Sequence, residues 1–599
     1  MTNISQYAIT HRNVVWFFLA VMVVGGVYAF EMLGKKEDST FTIKSAVVSC
    51  EYPGATPEEV EQLVTIPLER ELRTLGSVYK ITSESHFGYA RIIVELHPKT
   101  NAKRIPQLWD ELRRKVANVT PRLPEGAGPV SVADDFGDVY GLYYAIVSDG
   151  GFSWDELRDY ARYIETELYT VAGVKKVMLQ GEQSPEVCVY ISPAILASFD
   201  LTPEDIGRAI AGQNAMAALG VRRAGEIRVE LSEGTTYSSI ADIENQLLTA
   251  ADGKQYRLGD VARVEKGYKE PSSMIVSVDN RRAIGIAIAT DSEMDIVAVG
   301  DAVEQRLAEA SASLPVGVEV VTLYAENEIA RKANNDFLLN LVESLTIVII
   351  LIMATMGWRA GMIVGSSLLF TIGATLLMML GVGEGLNRTS LAGFIIAMGM
   401  LVDNAIVVTD NTQRLIRRGV APNLAAVSGA TSPRWNLLGA TLIAVISFLP
   451  LQLAPSSVAE IIRPLFVVIG ISLLMSWLLS LTQVPMMGSM LLKTMGKVED
   501  SPRSLWFRPI VRMLVRYRWL TLAIVVTLFG ISLWAMGSMP QNFFPQLDKN
   551  YFRADVILPE GYDIEATQQN LNRLTAWLSR QTEVKRVSTT AGSSPLRYY

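Results

Sequence analysis

Histidine and cysteine are nearly missing from this sequence, at three and two residues in 599. The histidines, His11, His86 and His97, are scattered without ligand spacing, so no zinc or copper site follows from them. No Ser-His or metal constellation stands out either, which weighs against a hydrolytic enzyme. Two cysteines cannot make a disulfide framework. Cys50 and Cys188 both fall in strand-like segments; free thiols are the expected state, with a single bond between them as the alternative. Charge is sparse, 19% against 49% hydrophobic residues. The net charge of −7 comes mostly from residues 34–335 and gives no reason to expect a nucleic-acid partner. Between Gly34 and Asn335 there is no apolar run long enough to cross a bilayer, about 20 residues as a helix.

Outside that stretch such runs are plentiful. Val14–Leu33 stands alone near the start. A cluster follows at Phe337–Met356, Gly361–Leu380, Leu391–Val408, Trp435–Leu453 and Pro464–Leu481, and a last run covers Trp519–Met536. The first run exceeds a signal-peptide core, typically about 7–15 residues, and no small-residue cleavage site closes it, so it reads as a retained helix. Lys and Arg gather after the fourth run (Arg414, Arg417, Arg418, Arg434) and after the sixth (Arg503, Arg508, Arg512, Arg516, Arg518). Basic residues beside span ends resist translocation. These loops and the N-terminus are therefore expected to be cytoplasmic, with residues 34–335 exported. The segment Ser504–Arg518 alternates apolar and arginine residues and predicts an amphipathic helix along the interface.

Within the insert, strand alternation and helical periodicity take turns. Strands are expected at Thr42–Glu51, Tyr79–Ser83 and Tyr89–Leu96, with helices at Thr56–Leu75 and Asn101–Val119. A second set follows: strand Tyr140–Val147, helix Trp154–Val171, strands Lys176–Gln180 and Glu186–Ile191, and a last unit over Ala283–Val321. That order suggests split β-α-β sandwiches of ferredoxin type. Gly212–Gly234 reads as a projecting hairpin or, more plainly, a flexible surface loop. The start of the chain is echoed near its end. A basic lead into a helix, then a Pro-Gly turn and a strand, recur as Tyr517–Leu520, a strand at Ala554–Leu558 and Pro559–Asp563. Transporters are often built from two such halves, so the second half is entered and broken off within what is expected to be its own exported insert.

Four stretches carry a more specific likeness: Tyr52-Pro53-Gly54-Ala55 with Glu58-Glu59-Val60-Glu61; Arg257-Leu258-Gly259-Asp260-Val261-Ala262; Gly399-Met400-Leu401-Val402-Asp403-Asn404-Ala405-Ile406-Val407-Val408; and Thr482-Gln483-Val484-Pro485. In these the chain resembles the resistance-nodulation-division (RND) efflux permeases, hydrophobe/amphiphile efflux branch, over its whole length. The resemblance implies an α-helical polytopic membrane protein with a large periplasmic α+β insert of ferredoxin-like β-α-β subdomains, a truncated form of the two-repeat RND architecture. The implied division is a first helix in residues 1–33, a porter and docking domain in 34–335 with its docking hairpin near 212–234, and helices 2–6 in 336–492. A cytoplasmic linker at 493–518, helix 7 at 519–538 and the start of a second periplasmic domain at 539–599 complete it. It also implies a homotrimer in the bacterial inner membrane, docked to a periplasmic adaptor (membrane fusion protein) and an outer-membrane channel, exporting small amphiphilic substrates. The coupling ion is the proton, without a cofactor.

An ionisable side chain inside a membrane span is costly and marks function. Asp403 and Glu343 lie well inside apolar runs, with Glu31 and Asp410 nearer the ends. Asp403 has Gly399 one turn away, on a face where another helix is expected to approach closely. Burial disfavours its charge and a nearby cation restores it, which couples protonation to helix packing. Relatives carry a pair of acids here, facing a lysine from the second half. This chain has Asp403 followed by Asn404, whose amide would hydrogen-bond the acid in either protonation state. The proton relay is thus expected at Asp403 with Asn404, with Asp410 and Glu343 as further candidates and Gly399 as the packing position. A helix–helix hydrogen bond is the plain alternative for Asp403, and a groove-lining role for Glu343. Rival classes are an intramembrane aspartyl protease, which needs two facing acids, and a metal-ion or lipid-exporting relative.

Overall fold

The computed structural model describes residues 4–37, 39, 42–134, 139–213, 218–224, 227–232, 237–250, 253–291, 294–492, 503–539, 550–559 and 561–596. They form two compact units. The first comprises Met1–Val139, Thr290–Asp301 and Ala325–Asp555; the second comprises Tyr140–Ala289, Ala302–Tyr324 and Val556–Tyr599.

The first unit opens with α1 (Ile4–Thr10) and α2 (Arg12–Met32), then β1 (Ser45–Glu51), α3 (Pro57–Val60), α4 (Ile66–Leu72), β2 (Val78–His86), β3 (Tyr89–Leu96), α5 (Ile105–Val119) and β4 (Val130–Ala133). The helix pair α3–α4, joined through a π-turn at Glu61–Thr65, starts where expected. The Thr56 side chain accepts from the Glu59 amide, and the Glu59 carboxylate accepts from the Thr56 amide, which satisfies two of the donors every helix start leaves open. The sheet runs β2-β3-β1-β4, antiparallel throughout. Strand alternation buries Ala46, Val48 and Cys50 of β1 with Ala90, Ile92 and Val94 of β3 against Leu108, Leu112 and Val116 of α5.

The second unit holds β5 (Leu142–Ser148), α6 (Trp154–Leu168), β6 (Val174–Gln180), β7 (Pro185–Ile191), α7 (Pro193–Ser198), α8 (Pro203–Gln213), β8 (Ala218–Ala224), β9 (Ile227–Ser232), α9 (Ile240–Glu244), β10 (Leu247–Thr249), β11 (Gln255–Arg257), α10 (Leu258–Val261), β12 (Ala262–Tyr268), β13 (Ile275–Val278) and β14 (Arg281–Thr290). Helix α11 (Ile296–Ser311) and β15 (Val318–Ala325) follow. The large sheet runs β15-β5-β14-β13 and ends on a strand near the chain's end, β16 (Ser588–Ala591), with β6 also on β14. Strand β7 does not join β6 but pairs antiparallel with β12, the strand that follows Arg257–Val261. Strand β16 pairs with β13, and Ser277 Oγ meets Thr589 Oγ1 at 2.7 Å. Ala554–Leu558 is irregular rather than a strand; helix α20 (Ile564–Leu578) is the regular element before β16. The expected projection at 212–234 is an antiparallel pair, β8 with β9; residues 214–217, 225–226 and 233–234 lie outside the described residues. Cys50 and Cys188 are free, one in each unit.

The remaining helices of the first unit are α12 (Glu326–Met356), α13 (Trp358–Val382), α14 (Arg388–Arg417), α15 (Pro422–Thr431), α16 (Arg434–Leu453), α17 (Ser457–Leu491), α18 (Arg503–Arg516) and α19 (Arg518–Gly537). Seven helices among the described residues are long and apolar enough to cross a membrane: α2, α12, α13, α14, α16, α17 and α19. Each carries one of the seven apolar runs. Helices α13, α14 and α17 are at least half buried over their apolar windows, whereas α12 and α16 are 11% buried and α19 not at all. Close approach of α2 and α13 is set by two glycines. A Cβ on Gly26 would stand 2.6 Å from the Gly373 backbone, and one on Gly373 would stand 2.5 Å from the Met22 carbonyl. Small residues of this kind let membrane helices touch backbone to backbone. The amphipathic segment Ser504–Arg518 is met by α18 and the first residue of α19; residues 493–502 lie outside the described residues.

Candidate functional site: a mid-span carboxylate on the open face of α14

Helix α14 starts from a capping box: Asn387 Oδ1 accepts from the Ser390 amide at 2.9 Å, and Ser390 Oγ accepts from the Asn387 amide at 2.9 Å. Its first residue, Arg388, donates to Glu37 Oε1 at 3.0 Å, and Glu37 is only 1% exposed. The strap leaving α2 is tied to the same place by main-chain bonds: Leu386 N to Gly34 O at 2.9 Å, Lys36 N to Leu386 O at 2.9 Å and Arg388 N to Glu37 O at 3.1 Å. Lys35 adds an ion pair with Asp295 at 3.1 Å. The start of α14 is therefore fixed against the end of α2.

Successive residues on a helix point about 100° apart, and α14 uses this to separate Asp403 from Asn404. Asn404 is buried at 5% exposure, where its amide Nδ2 donates to Ser476 Oγ of α17 at 3.3 Å and Thr441 Oγ1 of α16 at 3.4 Å. Both hydroxyls are in turn held by main-chain carbonyls, Ser476 by Leu401 at 2.6 Å and Thr441 by Leu437 at 2.8 Å. The expected hydrogen bond from Asn404 to Asp403 is thus absent: the amide faces the bundle interior and its needs are met there.

Asp403 lies on the opposite, exposed side of the helix. It shares that side with Ile396 and Val407, each 42% exposed, and with Gly399, where a would-be Cβ meets no described atom within 4 Å beyond the adjoining stretch of its own helix. Among the described residues none donates a hydrogen bond or forms an ion pair with the Asp403 carboxyl. The close approach expected at Gly399 is not made by any described helix. The other candidates lie apart. Asp410 forms a surface ion pair with Arg414 at 2.6 Å, one turn on. Glu343 is exposed on α12, and no hydrogen bond or ion pair among the described residues joins it to Asp403.

Sequence reasoning passed over Thr441, Ser476 and the Glu37–Arg388 pair. A lone hydroxyl in an apolar run carries no periodic signal, and Glu37 stands among the charged residues Lys35, Lys36 and Asp38 that follow the first span. Gln483, one of the residues behind the family likeness, is fully buried and donates to Ser366 Oγ at 3.0 Å, which links α17 to α13.

Taken together, seven candidate spans, a sheet-rich soluble region and a single carboxyl midway along a central helix define a multi-pass membrane protein of transporter type. The chain belongs to the AcrB/AcrD/AcrF family of RND permeases, whose model matches residues 4–598. It is 25% identical over 576 residues to the multidrug resistance protein MdtC of Escherichia coli (strain SMS-3-5 / SECEC), an alignment covering 94% of this chain and 56% of that protein. The chain thus spans a little over half the length of the curated relative it matches.

Proposed function

We propose that the chain works as part of a proton-driven exporter of hydrophobic or amphiphilic compounds in the bacterial inner membrane, with Asp403 as the group that takes up and releases the proton. One observation carries this reading: the carboxyl sits midway along an apolar helix, on a face that no described helix covers. An acid placed there is expensive unless a cation or a proton meets it. In this reading the cation comes from helices outside the 599 residues, and packing over Gly399 switches with the charge of Asp403, a two-state element that protonation biases. Asn404 fixes the helix to α16 and α17 and does not itself carry the proton; Asp410 and Glu343 serve at the margins. The N-terminus is cytoplasmic and residues 34–335 face the periplasm.

The β-α-β-β-α-β sequence of β1–β4, with its sheet order, supports subdomains of ferredoxin type. The protein works as a homotrimer in which the β8–β9 hairpin reaches a neighbouring protomer, and the trimer joins a periplasmic adaptor and an outer-membrane channel. Similarity to a protein named for multidrug resistance supports small amphiphiles as substrates. The test is dye export driven by a proton gradient, in cells stripped of their own pumps and expressing the full-length permease with and without Asp403→Asn. Export lost at normal expression and assembly supports the assignment; export that persists moves the coupling site elsewhere.

A further inference from the structure

A cavity of about 1310 Å³ opens in the first unit where α2, α13, α16 and α17 end, beneath the loop Pro98–Ala102 that follows β3. Its lining carries charge of both signs, with Lys36, Lys99 and Arg463 set against Glu384 and Glu460. Glu460 is already engaged, accepting from Lys44 Nζ at 2.6 Å and the Thr42 amide at 2.9 Å. Glu384 stands 3.7 Å from the Arg463 guanidinium. Burial pushes the Glu384 carboxyl above its usual range, against the pull of Arg463. Burial likewise lowers Lys36, against Glu326 and Asp291. Both groups are partly desolvated beside charged neighbours of the protein, Arg463 for Glu384 and Glu326 and Asp291 for Lys36.

Two polar atoms on the lining are buried and have no hydrogen-bond partner among the described residues: Ser39 Oγ, on a residue 5% exposed, and Gln452 Oε1. A buried polar group left unmet costs roughly 1–3 kcal/mol. The hydroxyl can donate or accept and the amide oxygen needs a donor, so a bare anion meets the hydroxyl alone, whereas a head group with an N–H donor beside its anion meets both. At the cavity's edge Met32, Val382 and Leu453 are 59%, 54% and 69% exposed, and these apolar side chains stand at span ends, level with the bilayer surface.

From this juxtaposition we infer that the cavity holds the head group of a zwitterionic phospholipid of the phosphoethanolamine type. Its phosphate lies among Lys36, Arg463 and Ser39, its ammonium lies toward Glu384 and Gln452, and its acyl chains pass over Met32, Val382 and Leu453. The inference rests on the cavity alone and stands or falls independently of proton coupling at Asp403.

Native mass spectrometry of the purified full-length protein tests it, titrating phosphatidylethanolamine, phosphatidylglycerol and free O-phosphoethanolamine in turn. Phosphatidylethanolamine is expected to bind at least about fivefold more tightly than phosphatidylglycerol, the weight of roughly one charge near a membrane surface. Arg463→Gln is expected to weaken both lipids. Glu384→Gln is expected to weaken phosphatidylethanolamine and to strengthen phosphatidylglycerol, an opposite response that general destabilisation would not produce. An unchanged unfolding temperature shows that both variants fold. Equal or tighter binding of phosphatidylglycerol, or indifference of both lipids to both substitutions, overturns the inference. Binding of the free head group as tight as that of the lipid also overturns it, since the acyl chains would then contribute nothing.

Discussion

The two sides of α14 differ as much as any two regions of the molecule. One side is packed to contact: Ala397, Leu401, Ala405 and Val408 are at most 3% exposed, Gly393 lies against the Leu465 backbone, and Asn404 has its amide bonded to two neighbouring helices. The other side carries Ile396, Gly399, Asp403 and Val407, uncovered by any described helix. In a bundle of apolar helices there is little hydrophobic force to drive association, so close packing and polar bonds decide which helices stay together. The packed side is therefore a fixed joint with α16 and α17. On the function proposed above, the open side, with an ionisable group at its centre, is where a partner comes and goes as charge changes. Adjacent residues in sequence, Asp403 and Asn404, belong to different machinery.

The sharpest separation of the two sides is by activity. Asp403→Asn keeps size and polarity and removes the titration. It is expected to reduce proton-driven export to background while leaving yield and unfolding temperature unchanged, as measured by dye efflux and by thermal unfolding in detergent. A fall in unfolding temperature equal to that of a packed-side substitution would erase the distinction.

Next in size is a substitution on the packed side. Gly429 of α15 faces Thr412 of α14, and a Cβ there would stand 2.3 Å from Thr412 Oγ1 and 3.0 Å from its Cα. Thr412 Oγ1 is itself held by the Val408 carbonyl at 2.7 Å, so it cannot simply swing away. Gly429→Ala is expected to cost about 1–3 kcal/mol, the usual range for overpacking a tight core, read as a lowered unfolding midpoint. A neutral result would mean that α15 shifts freely and that the joint is looser than its contacts. Asn404→Ala follows at about 1 kcal/mol, the worth of a typical buried hydrogen bond. The loss is held down because Ser476 and Thr441 keep their main-chain acceptors. Export per folded molecule should be unchanged, which separates Asn404 from its neighbour.

How much of this was legible in the sequence depends on whether a signal was local. Asp403 announced itself because a carboxylate in an unbroken apolar run is costly wherever the run packs. The seven spans were legible for the same reason, and the capping box at Thr56 and Glu59 because its residues are three apart. The direction of Asn404 was in principle legible too, since the helical turn alone puts it off the Asp403 face, but its partners Thr441 and Ser476 lie on other helices and have no pattern of their own. Strand partners were the least visible. Residues 186–191 alternate like any half-buried strand, and nothing local says that β12 rather than β6 will pair with them. The union of β13 with β16 joins segments about 310 residues apart in the chain, with six of the seven candidate spans between them. Only the folded sheet reveals it.

The smallest expected effect is also the most discriminating about the open side. Gly399→Ala adds a methyl group that meets no described atom within 4 Å beyond the adjoining stretch of its own helix. In the 599-residue chain alone, nothing is displaced and a helix-interior glycine is replaced by a better helix former, so the unfolding midpoint should hold or rise, by no more than about 1 kcal/mol. In the full-length permease the same methyl group should impair export if another helix closes over Gly399 while Asp403 is charged, because a backbone-to-backbone approach leaves no room for it. Stability unchanged in the chain with export reduced in the full-length protein would mark the open side as a surface that is covered only during the working cycle. A destabilised chain would mean that the face is already packed, and the contrast between the two sides of α14 would then be wrong.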